Sequence, residues 1–167
     1  MKILKEFDGA EFLFTVNEKI LNWNLEMVHG LAHSRKWEDY GFVELNFYEL
    51  ENYKKIKKID SFPDYSQNHN SFIEWKVDEQ SFEDLSKINK INEIYDYARF
   101  ISSYISGLKG KKINFVFEII FIGFHPVDSG NPRRDSYGRA LIMAIVSCFD
   151  ENAHNNELKH KKIYHNN

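Results

Sequence analysis

The sequence predicts an α+β fold: a twisted antiparallel β-sheet of about five to seven strands with one long helix, about 79–108, packed on a face. Ile113 to Phe124 reads INFVFEIIFIGF, a nearly unbroken apolar and β-favouring run that suits a strand crossing the middle of a core. Phe82, Leu85, Ile88, Ile91, Tyr95, Ala98, Ile101, Ile105 and Leu108 recur every three or four residues, the period of one helical face. Aromatic residues make up 16% of the 167-residue chain, mostly Phe and Tyr, which favours sheet-rich packing in a single domain, 1–167.

From the N-terminus, Ile3 to Phe7 and Phe12 to Val16 flank Asp8-Gly9, a dipeptide suited to a tight turn, so 3–16 is expected to be a hairpin. Leu21, Trp23, Leu25 and Met27 alternate with polar residues, which predicts a half-buried strand ended by Gly30. Gly41 to Leu50 repeats the alternation, and a second hairpin is expected across the charged connector Ser34 to Tyr40. Residues 51–70 mix lysines with Pro63 and asparagines, predicting a short polar element and then a long loop, and Ser71 to Val77 reads as a strand. The 79–108 stretch is one helix or two joined near Asn89, opened by a Ser81/Asp84 capping box and stopped by Gly107 and Gly110. Beyond the central strand, His125 to Tyr137 is an exposed connector with two prolines. Arg139 to Phe149 carries both helix and strand signals and is assigned to a strand on its Ile and Val content. Residues 150–167 are polar and are expected to fray from about 155.

Metal-ligand sets, phosphate loops, nucleophile elbows and paired catalytic motifs are all missing at diagnostic spacing, so neither catalysis nor a cofactor is expected. Met1 to Glu6 places charge on both sides of two apolar residues, and the longest apolar run carries Glu118. These features predict neither a secretory signal nor a membrane span, hence a cytoplasmic location. Cys148 lies in an apolar run and is expected to be a buried, inert thiol.

Several constellations are weighed against plain structural roles. His29 and His33, four apart, would share a face for a metal on a helix, but their segment has strand periodicity and lacks the accompanying Glu, so a metal is not expected. His125, Asp128, Arg133, Arg134 and Asp135 hold the residue types for proton transfer and phosphate binding, and they define the alternative of a small hydrolase or nuclease. Glu118, which by parity shares a face with Val116, Ile120 and Ile122, is expected to be paired, with Arg99 or Arg139 as candidates. Lysine clusters at 54–58, 109–112 and 159–162 beside aromatics define the other alternative, a single-stranded nucleic-acid-binding domain. The net charge of -3 and interspersed acids count against it, so neither nucleic acid nor membrane is expected as a partner.

A small, mildly acidic α+β chain rich in Asn, Lys, Ile and aromatics, without a catalytic signature, resembles the bacterial immunity proteins of contact-dependent growth inhibition and related polymorphic toxin systems. The resemblance is one of type, covers the whole chain and carries over no residue. It implies a stoichiometric inhibitor that occludes the active site of a cognate toxin of nuclease type, since nucleases offer basic clefts for carboxylates. The acidic segments with large side chains beside them are Trp37, Glu38, Asp39 and Tyr40, and Asp78 and Glu79 with Glu83 and Asp84; these are the expected partner-binding residues.

Overall fold

The computed structural model describes residues 7–36, 38–61, 67–68 and 70–165. Its strands, β1 (Val28–Lys36), β2 (Asp39–Glu49), β3 (Gln67–Asn68), β4 (Ser71–Trp75) and β5 (Phe115–Gly123), form one sheet in the order β1-β2-β5-β4-β3. A 3-10 helix, Ala10–Val16, precedes α1 (Asn17–Asn22), α2 (Leu50–Lys57), α3 (Glu79–Lys87), α4 (Ile91–Lys109), α5 (Ser136–Phe149) and α6 (Glu151–Tyr164). The chain is α+β as expected. Three strand pairs are antiparallel, while β4 and β5 run parallel because α3 and α4 carry the chain back across the sheet between them.

One face of the sheet holds the main core. Val43, Leu45, Phe47, Phe115, Phe117 and Ile119 project from β2 and β5 onto α4 and α5, where Ile94, Tyr97, Ile101, Leu141 and Ile145 meet them, all essentially buried. The β2–β5 register breaks between Glu44 and Leu45, which skips Ile120 and reverses the parity beyond it. Ile122 therefore joins the core, and Phe121 joins Leu31, Tyr40 and Phe42 on the opposite face, so the expected grouping of Ile122 with Glu118 is corrected.

The largest correction concerns 139–149. This expected strand is the body of α5, buried on nearly all sides between the sheet and α4. An apolar segment enclosed all round loses its amphipathic signature, and there the helix-forming Ala140, Leu141, Met143 and Ala144 prevail. The expected N-terminal hairpin is replaced over its described part by the 3-10 helix and α1, while residues 3–6 lie outside the described residues. Ala10, Leu13, Val16 and Ile20 are the buried set, at the three-to-four spacing of a helical face, with Phe14 turned outward. The expected strand at 21–27 is instead the end of α1 followed by irregular chain: Leu25 adopts a positive φ of 69°, and β1 begins only at Val28. Gly30 lies inside β1 and does not end it.

The second hairpin is present as β1–β2, tighter than expected, with Lys36 opposite Asp39. The 79–108 stretch is two helices, parted at Asn89, whose φ is 59°. The N-cap of α3 is Asp78, which accepts from the Ser81 amide at 2.7 Å, in place of the expected Ser81/Asp84 box. Gly110, at φ 72°, ends α4 as expected. The segment expected to fray from about 155 is helical through Tyr164. No helix among the described residues is long and apolar enough to cross a membrane.

Candidate functional site

The acidic segments named from sequence have different fates. Trp37 lies outside the described residues, and Glu38 is exposed at the β1–β2 turn. Asp39 is fully buried, its Oδ1 accepting the Gly130 and Asn131 amides at 3.1 and 3.3 Å, and Tyr40 is 5% exposed. The second segment is open: Asp78, Glu79 and Glu83 are exposed around Phe82, itself 38% exposed, while Asp84 is half-buried and takes a 2.7 Å bond from Gln80. Phe82 packs edge-on against Trp75 at 5.2 Å, and the Trp75 indole donates to the Tyr95 hydroxyl at 3.1 Å. An aromatic base thus lies beneath the carboxylates that open α3.

The 125–135 loop does not assemble the acid-base and phosphate group envisaged from sequence. His125 Nδ1 accepts the Val127 and Asp128 amides at 3.1 and 2.9 Å, which places its proton on Nε2. Asp135 is turned away, accepting from the Tyr97 hydroxyl at 2.8 Å, and Lys90 holds the Asn131 and Arg134 carbonyls. Glu118 is paired, though with neither arginine named from sequence. Its partners are Asn46 at 2.9 Å and Lys57 at 3.0 Å, while Arg139 meets Asp8 and Arg99 meets Asp96. Burial would raise the Glu118 pKa, but the bonds from Asn46 and Lys57 outweigh it and hold the carboxyl below its usual range. Lys57 and Lys109 of the lysine clusters serve this carboxylate and the Leu21 and Trp23 carbonyls respectively. The Cys148 thiol donates to the Ala144 carbonyl at 3.4 Å, and burial pushes its pKa up.

The best-formed concavity was missed from sequence. On the back face of β1 and β2, α6 lies across the sheet with no residue of its own buried and is held by polar side chains. His29 meets His154 at 2.8 Å and Glu44 at 2.6 Å, and Lys161 donates to the same Glu44. His33 bonds Glu157 at 2.7 Å and stacks on His160 with ring centres 3.6 Å apart and planes within 7°. The Tyr40 hydroxyl lies 2.6 Å from His160 Nε2 and 2.7 Å from His165 Nε2. The i, i+4 histidines of β1 therefore share a face, as strand geometry requires, yet each meets its own acid and its own histidine of α6. No cluster of three or more His, Cys, Asp or Glu able to hold a metal occurs among the described residues. The usable signal in the sequence was three histidines, His154, His160 and His165, in one short polar segment.

Burial, followed by neighbouring cationic groups, lowers the pKa of His154, of His165 and of His160, the last to about 4. A histidine whose docked pKa is depressed stabilises docking above its free value near 6.5, and that support is lost as pH falls toward about 4. His29 and His33 stand on the opposite side of the same seam, against Glu44 and Glu157 at 2.6 and 2.7 Å. With His154, His160 and His165 all depressed, α6 is expected to loosen between pH 6.5 and 4 while the sheet stays closed. Amide exchange, corrected for intrinsic rates, checks this: protection of α6 should fall at pH 4.5 relative to α5, and equal protection at both ends of the range refutes it.

No protein-family model and no curated protein matches the chain.

Proposed function

We propose that this protein is a toxin-neutralising immunity protein, which binds a cognate bacterial toxin of nuclease type in the cytoplasm and occludes its active site. The observation that supports this reading best is the exposed start of α3, where Asp78, Glu79 and Glu83 surround a half-open Phe82 backed by Trp75. A nuclease cleft is basic because it receives phosphates, so such a surface attracts it at long range, and a desolvated aromatic supplies the central anchor. The overall charge of -3 acts in the same direction. Glu38 is exposed on a separate turn and is a lesser candidate for the same surface.

The test is capture of partners from the native host with tagged protein, followed by titration of any stoichiometric partner for affinity and loss of activity. Phe82→Ala is expected to weaken that complex by about 2 kcal/mol, roughly thirtyfold in Kd, without altering the melting of the free protein by more than a surface change does. Unchanged affinity removes this surface from the interface. Recovery of nucleic acid alone favours the single-stranded binding domain, and hydrolysis by the purified chain favours the enzyme centred on His125.

A further inference from the structure

A cavity of about 490 Å³ opens between β1, the loop after β5 and the C-terminal end of α6, within the size range of small-molecule sites. Its floor is Tyr40, whose hydroxyl is engaged by His160 and His165. Around that ring lie the Arg35 guanidinium at 5.8 Å and the rings of His33, His125, His160 and His165 at 5.8 to 6.2 Å. Five nitrogen-rich groups thus converge on one aromatic from β1, α6, the loop after β5 and the C-terminus of α6.

The open hydrogen-bonding valences decide what such a cavity takes. The two nearby carboxylates are each tied to a side chain of β1: Asp128 Oδ2 accepts Arg35 Nη1 at 2.9 Å and Glu157 Oε2 accepts His33 at 2.7 Å. Arg35 still has the rest of its fork and a side chain that is 44% exposed. His125, with Nδ1 engaged by backbone amides, offers Nε2–H as a donor. Arg35 and His125 thus leave free donors at the cavity, and these suit an anion. The remaining wall is apolar and flat, formed by Phe124, Pro126 and the largely exposed Tyr164. The parallel His33–His160 pair adds a second flat surface beside it.

We infer that this cavity is a binding site for a nucleoside monophosphate or a nucleotide end of the same chemistry, with the phosphate at Arg35 and His125 and the base against Tyr164 and Phe124. Guanidinium and imidazole N–H groups match phosphate oxygens, and any base stacks on an aromatic face without sequence readout. The site uses no residue of the α3 surface and stands or falls separately from toxin binding.

The test is a titration of the full chain at pH 7 with 5′-AMP, 5′-UMP, adenosine and inorganic phosphate, followed by imidazole resonances and calorimetry. Both nucleotides are expected to shift the His125 and His33 signals, while adenosine and phosphate each bind at least about tenfold more weakly. Arg35→Gln and, separately, Tyr164→Ala are each expected to weaken nucleotide binding about tenfold. Both side chains are solvent-exposed, so the melting of the variants verifies that the fold is retained. Nucleotides that leave these imidazoles unmoved overturn the proposal, as does binding that Arg35→Gln leaves unchanged. Phosphate alone binding as well as the nucleotides equally overturns it, leaving a bare anion site.

Discussion

Lys90→Met is expected to cost the domain about 3–5 kcal/mol, the loss that follows when one partner of a buried charge group is removed. Lys90 is 2% exposed at the junction of α3 and α4. It donates to Glu93 at 2.9 Å and to the Asn131 and Arg134 carbonyls at 2.9 and 2.5 Å, and it faces Asp39 Oδ2 at 4.0 Å. Methionine fills nearly the same volume, so the loss measures the stranded carboxylates and carbonyls and not a cavity.

The pH dependence has a definite sign. Burial raises the Glu93 carboxyl to about 7 against the pull of Lys90, so its contribution is present below its ordinary value near 4.5 and declines as pH rises toward 7. Without Lys90 that decline steepens. Urea unfolding should therefore show a larger deficit for the variant at pH 7 than at pH 5. A deficit below about 1 kcal/mol at both values means that the junction holds without its ammonium.

Gly30→Ala is the second large effect, expected at about 3 kcal/mol, or roughly 6–12 °C in Tm. A Cβ at Gly30 would overlap the Ala144 carbonyl oxygen and stand 2.5 Å from Cys148 Sγ. The obstructing oxygen belongs to the backbone of α5, which cannot turn aside as a side chain can, so β1 and α5 must separate. The contrast is Gly107→Ala within α4, where an added Cβ meets nothing within 4 Å and helix propensity predicts a gain of about 0.5–1 kcal/mol. Thermal melts of the two variants side by side separate close approach from propensity. Equal melting of Gly30→Ala and the parent protein would show that the strand and helix can part at little cost.

The sequence by itself determined the elements whose period survives in the fold. The uniform apolar run of β5, the alternation of β2 and the three-to-four spacing of α4 are local patterns, read without knowing any neighbour. The stop at Gly110 was legible for the same reason, since a left-handed residue is a property of the backbone at that point, whereas at Asn89 the sequence left one helix or two open and the structure has two. The acidic opening of α3 was likewise evident from charge, although its cap is Asp78 and not the expected Ser81/Asp84 box.

Tertiary structure alone decided the rest. A segment enclosed on all sides shows no preferred face, so 139–149 could not declare itself a helix until the sheet and α4 surrounded it. The skipped Ile120 reversed parity along β5, which sent Ile122 to the core and Phe121 to the histidine face. Asp39, outwardly one more acid in a charged turn, became a buried brace for the 130–131 amides. The histidine cavity joins His33 to Glu157 and Tyr40 to His165 across 124 and 125 residues of chain. Periodicity reports which face a side chain occupies, and only the packing of distant elements determines what that face meets.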